Sequence, residues 1–175
     1  IASNYRNTIR KGYKAAQVAE GNDADEFWNL HKKAFEKQGL ECPFSYELWI
    51  RLFNACMQYN CGKILYAKDN RNNILSILFL IWDEKSVYHL LGGSVPEHQH
   101  LQTYNMLTWE GIKLASQKGL KYDFEGSVIK KISKSMRRFG GKPMPYFRIR
   151  KVFNPDILRS ETEKQIQSME NCRSK

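Results

Sequence analysis

Residues 63–93 read KILYAKDNRNNILSILFLIWDEKSVYHLLGG, and this stretch decides the fold. Three apolar runs, 63–68, 74–82 and 87–91, are separated by the turn-forming residues 69–73 and 83–85. Asp, Asn and Lys clusters of that length between β-branched and aromatic runs predict strands joined by tight turns. Loops so short allow only antiparallel neighbours, because a parallel crossover needs a dozen or more residues. The central run, Ile74 to Trp82 with Ser76 inside it, is too short to span a bilayer but has the length of a strand buried on both faces.

Downstream of this meander the period changes. A polar stretch after Pro96 leads into a helix expected over about residues 101–117, with Leu107, Ile112, Leu114 and Ala115 on its apolar stripe and Gly119 closing it. Residues 120–124 then read as a short strand bounded by Gly126, residues 131–138 as a small basic helix ended by Gly140 and Gly141, and residues 144–152 as a last strand. Upstream, residues 3–13 read as a helix and 14–20 as a strand. Asn22 or Asp23 can cap a helix carrying Phe27, Leu30, His31, Ala34 and Phe35 on one face. Ser45 begins another with the stripe Leu48, Trp49, Leu52, Phe53, Cys56. A meander followed by helix and strand places its third strand beside a parallel fourth. The expected class is therefore α/β (α+β): a mixed sheet with an antiparallel meander, then a parallel β-α-β pair, with helices on both faces.

The charge is unevenly placed. Net charge is +10, yet residues 127–155 carry nine basic residues and no acid, and the first nineteen add Arg6, Arg10, Lys11 and Lys14 without an acid. Such a concentration points to an anionic partner, a phosphate-bearing ligand or nucleic acid. Of the four cysteines, Cys42, Cys56, Cys61 and Cys172, none forms a C-x-x-C pair, so reduced thiols in a cytoplasmic protein are expected. A disulfide between Cys56 and Cys61 stays open. His98 and His100 have no carboxylate or thiol at a metal-ligand offset, and no P-loop, G-x-G-x-x-G, G-x-S-x-G or H-E-x-x-H pattern occurs. No signal peptide or transmembrane segment is visible, and a chain starting at Ile1 is consistent with a fragment or a processed form.

The order of elements resembles the GNAT fold, and local sequence narrows the likeness to Fem-type aminoacyltransferases. Val87-Tyr88-His89-Leu90-Leu91-Gly92-Gly93-Ser94 with Pro96-Glu97 looks like that family's fourth-strand segment. Leu107 to Ala115 resembles the following helix, and Lys118 to Gly126, with its Tyr122-Asp123-Phe124-x-Gly126 run, resembles the exit into the fifth strand. Arg138-Phe139-Gly140-Gly141 with Pro143 and Tyr146, and Tyr5 to Gly12 near the start, are similar to its closing and leading segments. The resemblance covers roughly residues 4–152 and implies a linker helix over 1–13, one GNAT-like domain over 14–154 and a polar tail over 155–175. Fem-type members carry two such halves, so an N-terminal half is implied to be missing.

What the resemblance implies is an acyltransferase forming an amide on an amine, with no permanently bound cofactor. The donor is aminoacyl-tRNA and the acceptor a peptidoglycan precursor in Fem-type members, while relatives on the fold use acyl-CoA. A third reading, a silent domain binding RNA or an anionic polymer, also stays open. Acyl transfer needs a held donor, a deprotonated amine and a stabilised oxyanion. Gly92 and Gly93 are candidates for close approach of a donor to the strand backbone. Tyr104 and Asn105, near the helix start, are candidate ligand-binding groups. The glycine-rich loop of CoA-dependent relatives is absent from residues 99–105. Asp123 and Glu125, two apart on the expected strand, are candidate proton acceptors for the amine. Tyr122 or Tyr146 is a candidate acid for the leaving group. Arg137 and Arg138 are candidates for gripping phosphate. The Phe-Lys that Fem-type proteins often show before this arginine pair is replaced by Ser135-Met136.

Overall fold

The computed structural model describes residue 1 and residues 3–36, 42, 44–126, 130–145, 147, 149, 151, 159 and 163. The chain divides into a unit of Ile1–Lys142 and a unit of Pro143–Lys175.

The first unit is built on a five-stranded sheet in the order β1-β2-β3-β4-β5. β1 (Gln17–Gly21), β2 (Gly62–Lys68), β3 (Ile74–Trp82) and β4 (Ser86–Ser94) pair antiparallel, and β5 (Lys121–Asp123) joins β4 in parallel. The meander and the parallel pair stand as the sequence predicts. β3 is the centre: Leu75, Ile77, Leu78, Phe79 and Leu80 are all essentially buried, each side chain stabilising the fold by about 1.5–3 kcal/mol. Their alternation divides the interior. Leu78 and Leu80 join Leu65, Ala67, Val87, Met106 and Leu107 on one face, against α4 (Thr103–Gln117). Ile77 and Phe79 join Phe27, Trp49, Phe53, Ile64 and Tyr66 on the other, against α2 (Ala24–Glu36) and α3 (Tyr46–Gln58).

The helices start where the capping chemistry directs. Asp23 Oδ1 accepts the Glu26 N–H at 2.8 Å, which settles Asp23 over Asn22 as the cap of α2. Ser45 Oγ accepts the Leu48 N–H at 3.3 Å at the start of α3. Trp49, wholly buried, satisfies its indole N–H on the Ala24 carbonyl at 2.9 Å and so fixes α3 to α2. α1 (Ser3–Ala15), expected as a linker, lies against α4, and its Tyr5 and Ile9 form a third cluster with Phe139 beyond α5 (Lys130–Arg138). The Tyr5 hydroxyl donates to Asn105 Oδ1 at 2.6 Å and lies 2.6 Å from Ser135 Oγ, joining α1, α4 and α5.

Four boundaries differ from the sequence reading. The strand expected over 14–20 begins at Gln17, because α1 runs on to Ala15. The glycines fall inside β4, not after it, because β3 keeps pairing with them as far as Ser76 opposite Ser94. The helix expected from about 101 begins at Thr103, since residues Pro96–Leu101 form a 3-10 helix and Gln102 takes a left-handed conformation (φ 63°). β5 ends at Asp123.

In the second unit Arg159 and Glu163 are helical. Of the strand expected over 144–152, Met144, Pro145, Phe147, Ile149 and Lys151 are not in a strand. Pro145 interrupts that run and has no N–H to give to a ladder. Tyr146, Arg148 and Arg150 lie outside the described residues.

Candidate active site

Two local features open the sheet between β4 and β5. Along β4, Leu91 opposes Phe79 and His89 opposes Leu80, so Leu90 is an extra residue, a β-bulge. A bulge bends and twists its strand. β5 pairs with only the first residues of β4, Ser86 with Lys121, Val87 with Tyr122 and Tyr88 with Asp123. Beyond that point the outer edge of residues 89–94 has no neighbouring strand in the described sheet. The result is a wedge with its apex at Tyr88 and Asp123.

His89 sits at that apex. It shares the α4 face with its partner Leu80, and its Nδ1 lies 2.7 Å from the Tyr122 hydroxyl while its Nε2 lies 2.5 Å from the Tyr104 hydroxyl. Phe124 stacks against the imidazole at 6.4 Å between centroids. Removal from water lowers His89 from the ordinary 6.5 to about 4, so the ring is neutral at physiological pH. Burial also raises Tyr104 and Tyr122, so both phenols keep their protons. Sequence reasoning did not single out His89. The available signal was a lone imidazole in an otherwise apolar strand, where its nitrogens must find partners.

The predicted residues fall around this centre as follows. Tyr104 and Tyr122 come together on His89, although they are 15 and 33 residues from it along the chain. Gly92 faces Tyr104 so closely that a Cβ there would lie 2.7 Å from the Ile77 carbonyl oxygen and 3.0 Å from Tyr104 Cε2. A Cβ on Gly93 would meet only Ala34 Cβ, at 3.8 Å. The first glycine serves packing, and the second leaves room beside the backbone. Asn105 is held within the protein: its Oδ1 accepts from Tyr5, and its Nδ2 donates to Gln102 Oε1 at 2.8 Å.

Asp123 and Glu125 do not share a strand face, as the sequence reading had it. Glu125 lies past the end of β5 with φ 60°, and its N–H donates to Asp123 Oδ1 at 2.8 Å, closing an Asx-type turn. Partial desolvation, then the neighbouring Asp123 carboxylate, raises the Glu125 carboxyl. Arg137 and Arg138 are exposed in the last turn of α5, with the Arg138 guanidinium 5.5 Å above the Tyr5 ring. At the start of α4 no side chain caps the helix, and the Asn105 N–H donates to the Gln102 carbonyl at 3.1 Å. A hydroxyl cluster seats that start on the sheet: Ser76 Oγ is 2.6 Å from Thr103 Oγ1 and 3.2 Å from Ser94 Oγ.

Other features lie apart from the wedge. An open hollow bounded by Tyr59, Cys61, Trp82 and Lys85 is at the opposite, paired end of β4. Cys42, Cys56 and Cys61 are free thiols, so no Cys56–Cys61 disulfide is present, and Cys172 lies outside the described residues. Among the described residues no group of three or more metal-ligating side chains occurs, and no helix is long and apolar enough to cross a membrane.

Residues 2–142 match the family described as the acetyltransferase (GNAT) domain, and the chain belongs to that family of acyltransferases. Solved structures share the fold at low identity. A predicted acetyltransferase with acetyl-CoA from Clostridium acetobutylicum is 12% identical over 77% of this chain and 96% of its own, with a TM-score of 0.61. AAC(6')-Iy, in complex with a bisubstrate analog, CoA-S-monomethyl-acetylneamine, is 13% identical over 77% of this chain and 98% of its own, at 0.56. FemX is 14% identical over 72% of this chain, which spans 48% of FemX, at 0.63. No curated protein matches the chain by sequence.

Proposed function

We propose that this domain transfers an acyl group from an acyl-CoA donor to an amine, with the donor's acyl end in the wedge between β4 and β5. The observation that carries the reading is the unpaired edge of residues 89–94 beyond the Leu90 bulge. An extended donor can add to such an edge as a further strand. Gln102 bears on the choice of donor. The sequence lacks the glycines of a phosphate-cradling loop, but Gln102 reaches the left-handed conformation such a glycine supplies, and α4 begins uncapped beside it. The CoA compounds named for two structural neighbours agree with this choice.

In this reading the amine nitrogen adds its lone pair to the donor's carbonyl carbon. Glu125, raised toward the pH at which it accepts protons well, takes the proton the nitrogen loses. The carbon–sulfur bond then breaks, and the departing sulfur takes up the proton that Glu125 received from the nitrogen. Asp123 acts on Glu125 through its negative charge and the turn it holds.

A second reading, aminoacyl-tRNA as donor and a peptidoglycan precursor as acceptor, is favoured by the likeness to FemX and by the acid-free helix α5 with Arg137 and Arg138 at its end. Calorimetric titration with acetyl-CoA and with charged tRNA, followed by a thiol-release assay with amine acceptors, separates the two. Acetyl-CoA binding with amine-dependent thiol release supports the first. Salt-sensitive tRNA binding without acetyl-CoA binding refutes it and supports the second.

A further inference from the structure

The backbone at the end of α3 holds two cysteines side by side. Asn60 takes a left-handed conformation (φ 49°) just past the helix. Around it the Cys61 N–H donates to the Cys56 carbonyl at 2.9 Å, and the Asn60 N–H to the Met57 carbonyl at 3.1 Å. This is the Schellman pattern, in which the third-last helical residue and the second residue past the cap commonly meet in an apolar contact. Here both of those residues are cysteines. The hydrogen bond between them keeps their Cα atoms less than about 7 Å apart, and only beyond about 7 Å is a pair out of a disulfide's reach. β2 adds a second constraint. A Cβ on Gly62 would lie 2.7 Å from Cys56 Cβ, so the strand starts directly over the Cys56 side chain. Burial raises the Cys56 thiol to about 11, and the neighbouring Cys61 thiol adds to the rise.

The two thiols differ in access. Cys56 is 5% exposed, in the cluster with Trp49 and Phe53. Cys61 packs against that cluster but is only half-buried, and it lines the open hollow with Tyr59, Trp82 and Lys85. A small solute in the hollow meets Cys61 first.

We propose that Cys56 and Cys61 are a reversible redox pair that takes a small-molecule disulfide as oxidant, with Cys61 as the entry thiol. Cys61, as thiolate, attacks one sulfur of the reagent, breaking its S–S bond and expelling one thiolate. Cys56 then loses its proton to solvent, and its sulfur attacks that of Cys61. The second thiolate leaves and the Cys56–Cys61 bond forms. The protein gives up two electrons and two protons, and the reagent is reduced to two thiols. The second step is the slow one, because burial holds Cys56 as the unreactive thiol. Closure ties the end of α3 to the start of β2. It reaches β3 as well, through the Trp82 N–H that donates to the Cys61 carbonyl at 2.9 Å. The pair lies apart from the wedge, so the proposal stands independently of acyl transfer.

The full chain, equilibrated with glutathione disulfide and glutathione over a range of ratios, then acid-quenched and alkylated, tests this. Trypsin leaves both cysteines on one peptide, Leu52–Lys63. That peptide is expected to lose two hydrogens and escape alkylation. The equilibrium constant for closure is expected to be about 10-fold or more above that of the same chain in urea. Equal constants would mean that nearness in sequence alone closes the ring, and overturn the proposal. A peptide alkylated twice at every ratio would overturn it too. In Cys56→Ser, Cys61 is expected to stop at the mixed disulfide with glutathione, and in Cys61→Ser, Cys56 is expected to stay unmodified. Glutathione found on Cys56 in the second variant would overturn the order of attack. If a variant fails to fold, the wild-type peptide decides the case.

Discussion

Replacing His31 by leucine is expected to flatten the acid limb of the stability curve. His31 is 3% exposed on α2, among Phe27, Phe35 and Phe44, and neither ring nitrogen has a hydrogen-bond partner among the described residues. Burial lowers it from 6.5 to about 4. The sign follows from where protons bind. Above pH 6.5 the ring is neutral folded or unfolded and contributes no pH dependence. Between 6.5 and 4 the unfolded chain takes up a proton that the folded chain refuses, so stability falls with pH; below 4 the loss levels off. The loss through His31 is about 2 kcal/mol at pH 5 and about 3 kcal/mol when complete. Leucine removes that loss together with a buried donor that no described residue satisfies. His31→Leu is thus expected to match or exceed wild-type stability at pH 7 and to gain about 2 kcal/mol more relative to wild type at pH 5. Urea unfolding at half-unit steps from pH 4.5 to 7.5 measures this. Parallel curves for the two proteins, with the same slope below pH 6.5, would refute the reasoning.

Other substitutions test other parts. Gly92→Ala, whose Cβ would press on the Ile77 carbonyl and the Tyr104 ring, is expected to cost about 1–3 kcal/mol in urea unfolding; a neutral result would mean that β3 and β4 separate more easily than their pairing implies. Ser45→Ala removes the acceptor of the Leu48 N–H and is expected to cost about 1 kcal/mol in the same assay. Glu125→Gln is expected to reduce kcat/KM by about 100-fold or more. Asp123→Asn keeps the oxygen that holds the turn but removes the charge that helps raise Glu125, so the acid limb of the pH–rate profile should move to lower pH. An unmoved limb would separate Asp123 from the chemistry.

The sequence carried the fold where local signals were complete. β3 has the ends read for it, because an apolar run bounded by turn residues on both sides leaves little choice. α3 starts at its serine cap for the same reason. Misreadings occurred where a neighbour overrules local preference. Gly92 and Gly93 signal a strand end, yet β3 holds both in the ladder. Nothing in Gln102 announces a left-handed residue, and that one conformation separates the 3-10 helix from α4. The site was legible only in pieces. Tyr104 and Tyr122 stand out for their chemistry, but the imidazole joining them reads as one more strand residue. Their meeting depends on the crossover through α4, which no local pattern encodes. Asp123 and Glu125 read as two positions on one strand face, but the chain leaves the strand between them.

Leu90 is one added residue against the even count of β3. Were it deleted, His89 and Leu91 would become consecutive rungs opposite Leu80 and Phe79, and the kink would relax. A straightened β4 would still part from β5 beyond Asp123, where the chain turns away through Glu125 and Gly126. The last seam of the sheet thus stays unsewn for two reasons, one added amino acid on one side and one early turn on the other.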